Sequence, residues 1–164
     1  MDVAAVLLKV THAVIGVWII GALLGRWVTL GQAGRTSDIT AVHTLLGLSD
    51  RFEWMVIRLP TLVLVLGIGT AIAQGRAFLG PLQGASVDWL FASLLLYLSV
   101  IPVIPLVFLP RGRVFAAALE EATAEGRVTD RLTAAFHDRV VFAGHVYEIA
   151  AIVGVFVLMI TKPF

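Results

Sequence analysis

The chain of 164 residues contains no cysteine. That absence excludes disulfides, thiolate zinc sites, cysteine-ligated iron–sulfur clusters and cysteine nucleophiles together. Charge is scarce as well. Charged residues make up 14% of the chain and hydrophobic residues 59%, where a soluble globular domain carries about 25% charged and about 45–50% apolar residues. The formal net charge is only +1. With no basic stripe and no excess of lysine, the chain has no footprint for nucleic acid. No nucleophile–base pair, phosphate loop or metal signature stands out, so the sequence assigns no reaction. What is abundant is apolar side chain. The mean hydropathy is +0.96, which marks a protein whose solvent is largely lipid, and the length allows one domain, residues 1–164.

A membrane-crossing helix needs about 20 mostly apolar residues. Four segments qualify: residues 3–30, 54–73, 89–109 and 140–160. We therefore expect an all-α fold, an integral membrane four-helix bundle running up, down, up, down. A helical cytoplasmic loop joins spans three and four. The first apolar stretch is too long for a cleaved signal peptide, and its start carries Asp2 rather than a basic cluster. Four spans put both termini on one side. The first and third loops hold Arg35, Arg51, Arg111, Arg113, Arg127, Arg131 and Arg139, while the other side holds only Arg76 and Lys162. Basic residues collect in the cytoplasm, so the expected setting is a bacterial inner (plasma) membrane with both termini outside.

In the third loop, Phe115, Leu119 and Ala122 alternate with acids and read as an amphipathic helix over 113–125, ended by Gly126. Thr129 followed by Asp130 is a helix start. Leu132, Phe136 and Val140 recur at every fourth position, so this helix is expected to run unbroken into span four. Small residues that permit close helix contact lie four apart at Gly21 and Gly25, at Gly67, Ala71 and Gly75, and at Ala150 and Gly154. Pro102 and Pro105 predict a kink near 98–101, since each proline removes a donor and clashes with the carbonyl four residues earlier. The bend is either a tolerated one or a widened pocket beside Tyr97 and Ser99.

The functional signal lies in the polar residues of the spans. An ionisable side chain there costs at least about 2.5–3.5 kcal/mol and faces the bundle interior. Lys9, His12 and Gly16 share one stripe of span one, with Gly16 leaving room beside the imidazole. His145 and Glu148 share a stripe of span four, and Arg58 lies on span two. Counting about 1.5 Å of rise per residue groups Lys9, His12 and Glu148 centrally, and His145, Arg58 and Arg26 towards the cytoplasm. One reading is structural: the cations snorkel to the span ends, and Glu148 neutralises one of them. The other is a cofactor site, because an interior bundle histidine is the usual axial donor to haem iron. His12 and His145 are then the candidate iron ligands, and Lys9, Arg26 and Arg58 pair with propionates. The estimated depths of the two histidines differ by about 9 Å, which favours one of them with a different sixth ligand. Tyr97 and Glu148 complete the polar core. His43 and His137 read as ordinary surface histidines.

The segment from Lys9 to His12, then Trp18, Gly21, Arg26 and Pro60, and the closing run from Leu158 to Phe164 resemble an uncharacterised family. It consists of small bacterial four-helix membrane proteins, a domain of unknown function. A more distant resemblance is to the J-type membrane protoporphyrinogen oxidase, which shares a Lys-x-x-His span, a later Trp-x-x-Gly and a Lys-Pro-Phe end. It implies that His12 matches a haem-linked histidine. Span three lacks that family's lysine near its start, and the stretch from Glu53 to Pro60 is shorter than its counterpart. The general layout also resembles the copper-resistance membrane domain, although three methionines and no cysteine leave few soft ligands for copper. The expected function is a haem-b redox bundle exchanging electrons with a quinone or a partner protein. Two alternatives stand beside it. One is an accessory subunit of a larger membrane complex without cofactor; the other is a small carrier or proton conduit through Lys9, His12 and Glu148, which needs a homo-oligomer.

Overall fold

The computed structural model describes residues 3–164, and all regular structure among them is helical. Helix α1 spans Val3–Ala33 and α2 spans Ile39–Ala73. Residues 34–38 turn the chain back. Asp38 then starts α2 by accepting the Thr40 amide at 2.9 Å, which satisfies one of the free donors of the first turn. The two helices run antiparallel: Gly25 meets Phe52 near one end, and His12 meets Gly67 near the other. Residues 74–88 form a compact link. Gly75, with φ of 65°, carries the chain out of α2 in a backbone region that disfavours other residues.

Three helical segments are long and apolar enough to cross a membrane: Val3–Ala33, Ile39–Ala73 and Asp130–Thr161. The third expected span departs from this pattern. Helix α3 covers only Trp89–Leu98, about 15 Å of rise. Beyond it the chain makes turns whose amides reach back three residues, such as Ile101 to Leu98 at 3.1 Å. A π-helical stretch follows at Ile104–Phe108, and α4 at Leu109–Glu125. Pro102 and Pro105 lack the amides that a regular helix needs here, so an unbroken helix over 89–109 does not form.

The loop expected between spans three and four follows the sequence pattern with one correction. Gly126, with φ of 68°, ends α4, and Thr129 caps α5 (Asp130–Phe136). The helix does not continue into span four. Asp138 accepts the amides of Val140 and Val141 at 2.8 and 3.3 Å and opens a separate α6 at Arg139–Thr161. A local side-chain acceptor at His137–Asp138 competes with the helical ladder and wins.

Two separate cores result. Ile19, Leu23 and Val63, with Tyr97, Ile149 and Ile152 against them, form the core between the long helices. Val42, Ala118, Ala122 and Leu132 form a second one where α2, α4 and α5 meet. Lys9, Gln74, Trp89 and Lys162 line one cavity. The start of α1, the end of α2, the start of α3 and the end of α6 therefore share one end of the molecule, called the termini end below. The second core marks the opposite, α4–α5 end.

Candidate functional site

At the termini end, a cavity of about 470 Å³ opens between α1, α2, α3 and α6. Its walls are mostly aliphatic and aromatic, with Val63, Tyr97, Ile152 and Phe156 among them. Among the described residues its charged lining side chains are Lys9, Arg76 and Lys162, with no Asp or Glu. Arg76 and Lys162 both lie over the Trp89 ring, at 5.3 and 5.4 Å from its centroid. His12 projects from α1 against Gly67, where an added Cβ would stand 2.9 Å from the imidazole. Its Nδ1 lies 2.9 Å from the Val63 carbonyl oxygen. A carbonyl only accepts, so Nδ1 carries the proton, and in the neutral ring Nε2 keeps its lone pair. The room beside His12 that Gly16 was expected to leave is filled by Phe156, whose ring lies 3.0 Å from a Cβ built there.

At the other end of the long helices sits a buried ionic cluster. Arg26 is 4% exposed and Glu148 6%. Arg26 donates through one terminal nitrogen to Glu53 at 2.7 Å. Through the other it donates to Glu148, and that nitrogen also lies 3.2 Å from His145 Nδ1. His145 and Glu148 are 3.6 Å apart. Phe108 stacks on the His145 ring at 4.7 Å, and the Arg26 guanidinium lies 5.8 Å from the Phe108 centroid. Gly144 admits that ring, since a Cβ there would be 3.1 Å from Phe108. Arg26 Nε alone has no partner among the described residues. A larger cavity of about 780 Å³ adjoins the cluster, lined by Arg26, Glu53, Phe108, Arg111 and His145 among others.

This arrangement keeps His145 with Arg26, as depth counting groups them, and corrects the rest of that grouping. His12 and His145 are not brought together, because His145 touches Arg26, which lies 14 residues from His12, about 21 Å along α1. Glu148 joins Arg26 rather than Lys9 and His12. A buried guanidinium demands a carboxylate far more strongly than a neutral imidazole does, and that demand sets the register between α1 and α6. The relay of Lys9, His12 and Glu148 is therefore not assembled. Arg58 lies outside both sites. It is exposed on α2, 5.7 Å over Trp54. No group of three or more His, Asp or Glu capable of holding a metal ion occurs among the described residues.

A family model of predicted integral membrane proteins matches residues 6–163, in keeping with the long apolar helices. The chain belongs to the DUF2269 family of predicted integral membrane proteins. No curated protein and no solved structure matches it. Within this DUF2269 chain, sequence reasoning found Lys9, His12, Arg26, Tyr97, His145 and Glu148 and missed two members of the ionic cluster. Glu53 lies just before the second apolar run, yet α2 begins 14 residues earlier, at Ile39, and so carries Glu53 into a helix–helix contact. Phe108 is turned onto His145 by the π-helical stretch. Pro105 signalled irregular backbone there but not where the ring would point. The two remaining histidines are ordinary: His43, inside α2, bonds Thr123 at 2.9 Å and His137, after α5, bonds the Thr133 carbonyl at 2.8 Å, both in exposed settings.

Proposed function

We propose that the chain crosses the inner membrane of a bacterial cell four times, with the bent segment from Trp89 to Leu109 as the third crossing and both termini outside. We further propose that the termini-end cavity takes a haem b through His12, making the protein a redox bundle that exchanges electrons with a quinone or a partner protein. The observation that carries this reading is the bond from His12 Nδ1 to the Val63 carbonyl. Histidines that ligate metals almost always donate their other ring N–H in this way, which fixes the ring and leaves Nε2 for the metal. The cavity supports it: about 470 Å³ falls within the roughly 300–1,000 Å³ usual for ligand pockets. The three cations that line it suit the propionates of a haem. Bound there, the haem would supply one-electron chemistry. Val63 would hold the imidazole, Phe156 and Ile152 would exclude water, and Lys9, Arg76 and Lys162 would orient the acidic edge.

The test is the visible spectrum of the full chain purified in mild detergent after expression with ample haem. A Soret band is expected, lost in His12→Ala and retained in His145→Ala. No band in the wild type, or a band that survives His12→Ala, rejects the reading.

A further inference from the structure

The exposed face of α2 carries two arginines that neither the cavities nor the ionic cluster use. Arg51, Trp54 and Arg58 are spaced by three and four and share one stripe of the helix. All three are exposed, Trp54 at 57%. The same stripe continues with exposed Leu62 and Val65 towards the termini end. The ion pairs of the described residues engage Arg26, Arg111, Arg127 and Arg131 but neither of these two. The Arg58 guanidinium instead lies over the Trp54 ring. The nearby acids are turned away from this stripe: Glu53 is held by Arg26, and Asp50 lines the cavity beside the cluster.

Depth places these groups at a membrane surface. Arg58 lies 15 residues before Ala73, the end of α2, about 22 Å along the axis. A hydrocarbon core is about 30 Å thick, so Arg58 can reach its α4–α5 boundary by snorkelling. Arg51 lies a further 10 Å or so beyond, among headgroups. Trp54 sits between them at the level where indole rings anchor membrane proteins. An apolar stripe that ends in two unpaired arginines around a tryptophan meets acyl chain above and phosphate below.

We infer that Arg51, Trp54 and Arg58 form a binding site for the headgroup of an anionic phospholipid in the leaflet at the α4–α5 end. Arg58 and Arg51 bracket the phosphate, and Trp54 packs at the glycerol level. The inference rests on α2 crossing the membrane and on neither the haem nor the orientation.

The test uses the full chain in mild detergent, titrated with short-chain phosphatidylglycerol and, separately, with phosphatidylcholine. A cation near a membrane surface contributes about 1 kcal/mol towards an anionic lipid, so two give roughly a 30-fold preference for phosphatidylglycerol. The preference is expected to vanish in R51Q/R58Q and to survive in R51K/R58K and in R127Q. Both α2 positions are exposed, so the variants keep the fold, which their helical circular dichroism checks. Equal affinity of the wild type for the two lipids, or an unchanged preference in R51Q/R58Q, overturns the inference.

Discussion

At the scale of single residues, the sharpest consequence concerns Arg26. Its guanidinium is buried and held by two carboxylates of unequal burial: the Glu148 side chain is 8% exposed and that of Glu53 43%. Removing one partner of a buried ion pair costs about 3–5 kcal/mol, because the other charge is left without compensation. Glu148→Ala is therefore expected to destabilise the protein by about that amount. Glu53→Ala should cost less, since water screens a half-exposed pair to about 1 kcal/mol or below. Replacing both ends, as in Arg26→Met with Glu148→Leu, should recover much of the loss of the single variant. Denaturant unfolding in detergent micelles measures all three. Equal losses in the two glutamate variants would show that burial does not rank the two partners of Arg26. Arg26, His145 and Glu148 were legible in the sequence because charge inside an apolar run is rare. Their partners were not, because pairing depends on helix register, which no single span encodes.

At the scale of elements, the small residues of α1 do different work. Gly21 and Gly25 read alike in the sequence, four apart on one face. In the structure a Cβ at Gly25 would lie 2.7 Å from the Phe52 ring, whereas one at Gly21 meets nothing within 4 Å. Gly25 sets the approach of α1 to α2, and Gly21 faces outward. Gly25→Val is expected to destabilise by about 1–3 kcal/mol through overpacking, and Gly21→Val to stay within about 0.5 kcal/mol. The same unfolding measurement compares them, and similar losses would place the contact face elsewhere. Helix ends were read well from sequence where a side chain makes the cap itself, as with Thr129, or where a positive φ calls for glycine, as at Gly126. They were misread at Asp138, where a fourfold apolar spacing suggested one helix and a local cap cut it in two. The prolines announced a break after Leu98. The break resolves into a π-helical stretch that sets Phe108 on His145 of α6, and no local rule supplies it.

At the scale of the whole molecule, the two cores divide the labour. The core around Val63 binds the long helices, and the core around Leu132 ties α4 and α5 to the extension of α2 beyond the apolar stretch. Both α1 and α2 are longer than a bilayer requires, and the second core engages the surplus of α2. Their 31 and 35 residues span about 46 and 52 Å against a hydrocarbon core of about 30 Å. In the proposed topology the surplus length emerges at the α4–α5 end, where most of the arginines lie, and this makes one demand on every loop at once. Because the chain has no cysteine, each loop can be given a single thiol without background. Ser86→Cys lies in the exposed link before α3, Ser37→Cys in the α1–α2 turn, and Glu120→Cys on the exposed face of α4. With both termini outside, a membrane-impermeant maleimide should label Ser86→Cys in intact cells. It should reach Ser37→Cys and Glu120→Cys only after the cells are permeabilised. The inverse pattern would turn the bundle over, moving the arginine-rich end outside. Labelling of Ser86→Cys and Glu120→Cys from the same side would deny that the bent segment between them crosses at all, leaving the three long apolar helices as the only crossings.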